Sequence, residues 1–428
     1  MTLLWLMGVL FVCLFIGVPI GISLGLASIT TLLLFTDHGL VVLAQRFFYT
    51  AQVYPLLAIP FFILAGTFMT TGGVAQRMIG FANALLGHFR GGLAMAALLA
   101  CALFAAVSGS SPATVVAVGT VMIGGMVASG YKREFAAGLI CNAGTLGILI
   151  PPSIALVIYG AVTETSIGNL FIAGFIPGLV LVAALMAVIA IRARREDLPR
   201  QPRVSFATVL KTGREAVWGL LLVVVILGGI YLGAFTPTEA AAVSAVYALL
   251  VAVIVYRDMG WGDVPKVLVE SARMTAMLMF IIANAFLFAF VLTTEQIPQA
   301  ASEWIIDLGL SPWAFLLALN VLMLLAGNFM EPASVILILA PIMFPIAMAL
   351  GIHPVHLGII MTVNMEIGLI TPPVGLNLFV TSGVAKMDLG QVVRAALPWL
   401  AVLICVLFLI TYVPAISLAL PGWLGLLD

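Results

Sequence analysis

Two short stretches of this chain combine residue types that could hold a cation. Residues 144–159 read GTLGILIPPSIALVIY and residues 365–380 read MEIGLITPPVGLNLFV, so each contains Gly-x-x-x-Pro-Pro. Adjacent prolines remove backbone donors and clash with the preceding helical turn, and the residue before them is driven out of the helical region. Both stretches are therefore predicted to break a helix and to free carbonyl oxygens, which suit a hard cation such as Na⁺.

Polar residues interrupt two further apolar stretches. Segments 91–130 and 313–350 have SGSSPA at 108–113 and GNFMEPA at 327–333 near their centres. Together with the breaks they are expected to form two cation sites, and the helix starts that follow offer free N–H groups to an anionic substrate. The polar side chains concerned are Ser108, Ser110, Ser111, Asn142, Thr145, Ser153, Asn328, Glu331, Thr371 and Asn377.

Three glutamates have separate interpretations. Glu331 either caps the helix that begins at Pro332 or faces the substrate, where it would contact a hydroxyl or an amine. Glu366 precedes the second break and is expected to hydrogen-bond neighbouring helix ends. Glu239 lies in TPTEA at 236–240 and is expected to cap a helix start.

The elements that must position these residues are membrane spans. The chain has 428 residues, of which 64% are hydrophobic and 8% are charged. Apolar runs near 20 residues recur throughout, which is typical of an all-α polytopic membrane protein. Ten spans are expected, at 2–18, 19–35, 53–72, 135–162, 169–191, 214–234, 237–256, 273–293, 355–382 and 395–418.

Charge placement favours re-entrant hairpins at 91–130 and 313–350. The polar segment 192–214 carries seven Lys/Arg residues and is therefore assigned to the cytoplasm. With both hairpins re-entrant, 16 of the 17 Lys/Arg residues fall on the cytoplasmic side and only Arg46 lies outside. Five spans on each side of this segment place both termini outside the cytoplasm.

The two halves also match in sequence. Pro112 and Pro332 are 220 residues apart, and the Pro-Pro pairs are 221 apart. We predict a first inverted repeat at 1–191, with a broken helix at 135–162. A basic cytoplasmic linker follows at 192–213, and a second repeat at 214–428 has a broken helix at 355–382. Paired broken helices in inverted repeats are typical of secondary transporters. Amphipathic arms are expected at 39–51 and 260–272.

Enzyme motifs give no support for catalysis. GWGD at 260–263 matches the GxGD of intramembrane aspartyl proteases, but no Tyr-Asp partner exists in the chain. HExxH and Walker sequences are also absent from the sequence, and the one GxSxG match, GISLG at 21–25, lies inside the apolar span expected at 19–35 and not at a strand-to-helix turn. The chain is therefore not expected to be an enzyme.

Four motifs carry a family resemblance: SGSSPATVVAVG, GTLGILIPPSIALVIYG, FTPTEAAAVSAVYALL and GLITPPVGLNLFV. In this order they resemble the large membrane subunit of tripartite ATP-independent periplasmic (TRAP) transporters of the dicarboxylate-uptake type. The resemblance implies a sodium-driven, elevator-type importer of organic acids in the bacterial cytoplasmic membrane. It also implies two partners, a small membrane subunit of four helices and a periplasmic substrate-binding protein.

The resemblance assigns roles residue by residue. One sodium site would use Ser111 with carbonyls near Gly147, Ile150 and Pro151. A second would use Gly327, Gly368, Thr371 and backbone near Val374. Ser110, Ser153 and Glu331 would face the substrate. From their positions beside the breaks and tips, we add Ser108 and Asn142 to the cation ligands and Asn377 to the substrate ligands.

Two other functions stay open at this point. A self-sufficient divalent-anion/sodium symporter shares the hairpin logic but needs no binding protein. A passive channel or membrane scaffold is disfavoured, because a channel needs a continuous polar lining and a scaffold has no use for paired broken helices. The cargo is not named by the sequence, and C4-dicarboxylates, keto acids, sugar acids and sialic acid all fit.

Overall fold

The computed structural model describes residues 1–36, 40–300, 303 and 309–427, and this part of the chain is helical without a β-strand. Eight of its helical stretches are long and apolar enough to cross a membrane. The prediction of an all-α polytopic membrane protein is therefore confirmed at the level of class.

The described residues of the first half form ten α-helices, with a 3-10 turn before α4 and another after α8. They are α1 (Thr2–Phe15), α2 (Ile20–Phe35), α3 (Leu40–Gln52), α4 (Ala58–Thr71), α5 (Val74–Leu86), α6 (Gly92–Ser108), α7 (Ser111–Ala128), α8 (Arg133–Ala143), α9 (Ile154–Thr163) and α10 (Ile167–Arg195).

The second half contains nine α-helices in its described residues, and a π-helical turn at Val251–Val255 extends α12. They are α11 (Phe206–Tyr231), α12 (Pro237–Leu250), α13 (Val264–Thr294), α14 (Pro312–Gly327), α15 (Pro332–Ala349), α16 (Pro354–Gly368), α17 (Leu376–Ala385), α18 (Leu389–Tyr412) and α19 (Ala415–Trp423).

Each half contains a helical hairpin followed by a broken helix. In the first half, α6 and α7 meet at the first tip (residues 108–112), and α8 and α9 flank the first break (144–153). In the second half, α14 and α15 meet at the second tip (327–332), and α16 and α17 flank the second break (369–375). The predicted breaks therefore occur in both places, and both Pro-Pro peptide bonds are cis.

Three features differ from the sequence expectation. The second arm, at 260–272, is not a separate helix, because α13 runs without interruption from Val264 to Thr294. Glycine is absent from 264–294, so nothing breaks the helix where its amphipathic start meets the apolar span. The helix α5 was not predicted, and α4 is separated from it by Gly73 with φ 71°. The linker is shorter than predicted, because only 196–205 lie between α10 and α11.

Other local predictions agree with the structure. The first arm is the helix α3, although residue 39 lies outside the described residues. Thr236 and Glu239 form a capping box, in which the Thr236 side chain accepts from the Glu239 N–H and the carboxylate accepts from the Thr236 N–H. Glu239 is thus a helix cap, as predicted.

The halves interlock through their hairpins. The helix α7 packs against α17, and α15 packs against α9. The second helix of each hairpin thus contacts the broken helix of the other half. A second group is formed by α2, α4, α12 and α13, in which α4 contacts both α12 and α13 and α13 contacts α2. This group packs against the hairpins through contacts of α4 with α6 and of α13 with α15. This packing brings both tips and both breaks toward one region.

Candidate functional site

Both tips border one cavity of about 480 Å³, called here the chamber. Its walls come from the two tips and the first break on one side, and from α4 and α13 on the other. The polar side chains among the lining residues are Thr67, Thr70, Thr71, Ser108, Ser110, Ser111 and Glu270, together with Glu331.

The first tip is held in shape by hydroxyl groups. The hydroxyls of Ser108 and Thr114 are 3.0 Å apart, and Thr114 Oγ1 donates to the Ser110 carbonyl at 2.8 Å. The Ser110 N–H approaches Ser108 Oγ at 3.4 Å. The Ser110 hydroxyl is left on the chamber wall with no hydrogen bond to another described residue. Ser110 is therefore the first-tip serine whose hydroxyl has no hydrogen bond within the described part of the chain.

Glu331 occupies the N-cap position of α15 but does not cap the helix. Its side chain makes no cap hydrogen bond, and Oε1 is buried without a partner among the described residues. The N-cap residue of α7, Ser110, also makes no side-chain cap bond. Two helix starts with uncapped N–H groups thus border the same chamber, and each favours a negatively charged ligand group.

The first candidate cation site surrounds Ser111. This residue is fully buried, and its Oγ accepts a hydrogen bond from Asn377 Nδ2 at 2.6 Å. Gly147 lies against the first tip, where a Cβ would be 2.7 Å from the Ser110 carbonyl oxygen. The Oδ1 atoms of Asn142 and Asn377 are buried without a partner in the described part of the chain. Unpaired buried oxygens beside freed carbonyls are a donor set that fits Na⁺.

Glu366 connects the two halves beside this site. Its carboxylate accepts from Thr145 Oγ1 at 2.7 Å, and Thr145 is 221 residues away along the chain. That spacing equals the repeat offset, so the two residues occupy matching positions in the two halves. The expectation that Glu366 hydrogen-bonds a neighbouring helix end is confirmed.

The second candidate cation site is more open. Gly327 and Gly368 are packed face to face, since a Cβ on Gly368 would be 2.8 Å from the Gly327 Cα. The Val374 N–H donates to the Asn328 carbonyl at 3.2 Å, which ties the second break to the second tip. Thr371 is half-buried and bonds Ile367 O at 2.7 Å, whereas Val374 is 43% exposed. The same pairing of tip and break thus recurs with fewer enclosing groups.

Two predicted substrate ligands lie elsewhere. Ser153 is fully buried and caps α9, because its Oγ accepts from the Leu156 N–H at 3.3 Å and donates to the Ile148 carbonyl. Asn377 has its amide against Ser111, in the first candidate cation site. Both lie beside the breaks in sequence, but neither is among the described residues that line the chamber.

The predicted ligands of the first cation site are buried, and some of them could bind a cation only through backbone carbonyl oxygens. Ser108 lies at the chamber wall, whereas Asn142 donates to Gly138 O at 2.8 Å and leaves only Oδ1 for a cation. Ile150 and Pro151 are buried in the first break, with Ile150 packed against Gly178. Their side chains carry no donor atoms, so only their carbonyl oxygens could contribute.

The facing wall of the chamber was missed from the sequence. Thr67 and Thr70 lie on α4, with their hydroxyls bonded to Ile63 O and Gly66 O at 2.8 and 2.7 Å. Glu270, Met274 and Met277 lie on α13. A threonine pair three residues apart was the available signal, because such a pair marks one polar face on an otherwise apolar span.

Comparisons with known proteins agree on one family. A family model described as "Tripartite ATP-independent periplasmic transporter, DctM component" matches residues 7–416. The chain is 66% identical over 404 residues to the C4-dicarboxylate TRAP transporter large permease protein DctM of Pseudomonas aeruginosa, covering 94% of this chain and 95% of that one. It is 56% identical over 427 residues to the protein of the same name from Vibrio cholerae, covering 95% and 94%.

A solved structure supports the fold. The YdaH transporter of Alcanivorax borkumensis aligns with a TM-score of 0.64 and 16% identity, covering 92% of this chain and 90% of that one. At this identity the likeness concerns the arrangement of helices.

Proposed function

The chain belongs to the DctM family of tripartite ATP-independent periplasmic transporters, and from this premise we propose that it is the permease subunit of a C4-dicarboxylate uptake system. It is a multi-pass membrane protein of a transporter family rather than of an enzyme family. The cargo is proposed from its relatives, since proteins 66% and 56% identical over nearly the whole chain are named for C4-dicarboxylates.

The chamber is the observation that carries this proposal. Two uncapped helix starts, those of α7 and α15, meet there with the free Ser110 hydroxyl and the unpaired Glu331 carboxylate. The helix starts would receive the carboxylates of the substrate, and Ser110 would donate to one of them. Glu331 would accept a hydrogen bond from a hydroxyl group on the substrate.

We propose that Na⁺ is carried with the substrate at the two sites behind the tips. No Lys or Arg side chain is among the described residues that line the chamber, so positive charge for a dianion must come from elsewhere. Ser111 with Asn142, Asn377 and the first-break carbonyls would hold one ion. Gly327, Gly368, Thr371 and Val374 would hold the other through hydroxyl and carbonyl oxygens.

We further propose that the hairpins and broken helices move as a unit against α2, α4, α12 and α13. The chamber lies between these two groups, and a cavity with walls on two bodies opens and closes when one body moves. The matching order of hairpin and broken helix in both halves supports two inverted repeats. The sequence-derived charge asymmetry supports hairpins that re-enter the membrane, with both termini in the periplasm.

Uptake by reconstituted protein tests these proposals. Vesicles would hold the chain with its small membrane subunit, and radiolabelled succinate would be added with or without the periplasmic binding protein. We expect uptake only with an inward Na⁺ gradient and only with the binding protein.

Each alternative result has a definite meaning. Uptake without the binding protein would favour a self-sufficient symporter. Uptake in K⁺ alone would remove the sodium proposal while leaving the family assignment intact. Downhill flux that needs no ion gradient and has no saturation would indicate a channel.

A further inference from the structure

A second cavity is lined by other segments of the chain and, unlike the described lining of the chamber, has Lys and Arg side chains on its wall. It measures about 760 Å³ and is formed by α5, α11 and the residues that end the π-helical turn of α12. We call it the basic pocket. Its lining residues are Gln76, Arg77, Gly80, Lys211, Arg214, Glu215, Trp218, Val255 and Tyr256.

The basic pocket contains one cationic side chain that is ion-paired and two that are not, within the described residues. Arg77 is already engaged, because it forms an ion pair with Asp258 and its guanidinium lies 3.8 Å above the Tyr256 ring. Lys211 and Arg214 make no hydrogen bond or ion pair with another residue in the described part of the chain. Among the described residues that line the pocket, Glu215 is the only acidic one, and its backbone carbonyl accepts from Tyr256 OH at 2.6 Å. The pocket therefore keeps a net positive charge with two cations available.

The helices α5 and α11, which form two walls of the pocket, are packed closely against each other. Gly213 and Gly219 bring α11 against α5, with built Cβ atoms 3.2 Å from Phe81 and 2.6 Å from Val74. Gly80 behaves differently, because a Cβ there would have no atom within 4 Å. The absence of a side chain at Gly80 thus leaves part of the pocket volume empty.

The surroundings of the pocket are those of a membrane interface. Trp218 is 41% exposed and Val224, six residues further along α11, is 62% exposed. Tryptophan and tyrosine are enriched at headgroup level, and the exposed apolar residues beyond them would contact acyl chains. By the positive-inside rule the pocket lies at the cytoplasmic face, where basic pockets between helices bind anionic headgroups.

We propose that the basic pocket binds the phosphate of an anionic phospholipid of the cytoplasmic leaflet, with Lys211 and Arg214 as its donors. Arginine engages two phosphate oxygens at once, whereas lysine contributes a compact charge. Trp218 would lie at the glycerol level and the apolar face of α11 along the acyl chains. This proposal does not depend on the transported substrate. Its occupant would fix α11 against α5.

Thermal unfolding of the purified full chain in detergent tests the proposal. Phosphatidylglycerol and phosphatidylcholine with identical acyl chains would be added at equal mole ratios. We expect phosphatidylglycerol to raise the melting temperature by several degrees more than phosphatidylcholine. This difference should be lost in Lys211→Gln/Arg214→Gln. It should also be lost in Gly80→Leu, which fills the pocket without changing charge and replaces glycine by a better helix former.

A matched control separates the pocket from general charge effects. Arg200→Gln/Arg203→Gln removes the same charge from exposed positions in the 196–205 segment. We expect this variant to keep the full response to phosphatidylglycerol. An equal loss in the control variant would overturn the proposal.

Two further measurements identify the molecule that occupies the basic pocket. If potassium phosphate raised the melting temperature as much as phosphatidylglycerol, relative to potassium chloride at equal ionic strength, the ligand would be a soluble phosphate and not a lipid. If co-purified small subunit abolished the lipid response, this face would be a protein interface. Persistence of the lipid response in the co-purified pair would support the lipid site.

Discussion

At the scale of single residues, a short distance along the chain does not decide what a side chain contacts. Ser110 and Ser111 are neighbours and both border the chamber, yet the Ser110 hydroxyl has no hydrogen bond to a described residue, whereas Ser111 Oγ accepts one from Asn377. Glu331 takes the N-cap position without capping, so its carboxylate remains available. The hydrogen-bonding capacity of each tip side chain is therefore set by what packs against it, and the proposed substrate and cation roles follow that difference.

Replacing Glu331 by Gln should change substrate preference. A hydrogen bond to a charged group contributes about 1.5–3 kcal/mol, and each 1.4 kcal/mol corresponds to a factor of about ten. Malate has a hydroxyl group and succinate has none. We therefore expect Glu331→Gln to lower the uptake of malate relative to that of succinate by roughly tenfold, which corresponds to a loss of about 1.4 kcal/mol. Competition between the two labelled acids measures the ratio.

Glu270→Gln provides the comparison for this experiment. Glu270 lines the same chamber from α13, so the substitution removes a carboxylate from the opposite wall. We expect the malate to succinate ratio to stay at the wild-type value. An unchanged ratio in Glu331→Gln would contradict the assignment of Glu331 to a substrate hydroxyl.

Ser111→Ala should remove the response to sodium. A cation that binds only the folded state stabilises it by about 2.7 kcal/mol at 100 times its dissociation constant. We expect NaCl to raise the melting temperature of the wild type above that in KCl or choline chloride at equal ionic strength, and Ser111→Ala to abolish most of this rise. Ser129→Ala, at the end of the same helix, removes a hydroxyl that bonds Gly125 O and should keep the response. A full sodium response in Ser111→Ala would show that the ion is bound elsewhere.

At the scale of elements, each hairpin tip is fitted to the break of its own half. Gly147 meets Ser110 and Gly368 meets Gly327 with no room for a Cβ atom. The prolines end the helical ladder, and the glycines then allow the tip to approach the freed backbone. The two features act together, which explains why Gly-x-x-x-Pro-Pro occurs as a unit.

Gly368→Ala should weaken this fit. A Cβ there would be 2.8 Å from the Gly327 Cα, so one of the two helices must shift. Overpacking of this kind costs about 1–3 kcal/mol, and we expect a lower melting temperature together with a smaller sodium response. Gly383→Ala in α17 is the control, because a Cβ there would have no atom within 4 Å. Equal effects of the two substitutions would show that helix propensity and not the tip contact is responsible.

At the scale of the whole molecule, the chamber lies between two groups of helices. Its first-tip side belongs to the interlocked hairpins and its opposite side to α4 and α13. Gly66 on α4 touches the first tip, where a Cβ would be 2.9 Å from the Ser108 carbonyl oxygen. Smooth movement of the hairpins past α4 would require a small residue at this point.

Gly66→Val should therefore separate transport from ion binding. We expect the rate of uptake to fall by about tenfold, equal to ~1.4 kcal/mol on the barrier. The sodium-dependent rise in melting temperature should be retained, because the first cation site lies behind the tip. Gly124→Val on α7 adds the same side chain at a position where a Cβ would have no atom within 4 Å, and it should leave uptake unchanged. Normal uptake by Gly66→Val would contradict movement across this contact.

Much of the architecture follows from local chemistry that sequence displays. Apolar run lengths identify the spans, because a helix must cross about 30 Å of hydrocarbon. Pro-Pro pairs identify the breaks, since proline lacks a donor wherever it occurs. The helix cap at Glu239 is likewise a short-range device and was predicted from the sequence, and the structure adds Thr236 as its partner in a capping box. These features depend on neighbours in the chain, so their outcome is the same in any tertiary setting.

Tertiary packing decided what the irregular segments do. A break has no period, so nothing in its sequence indicates that Asn377 reaches Ser111 across 266 positions. The pairing of Glu366 with Thr145 and the α4–α13 wall of the chamber depend in the same way on contacts between distant segments. Backbone constraints are local and can be read from residue types, whereas the direction of a side chain at an unwound position is set by whatever packs against it.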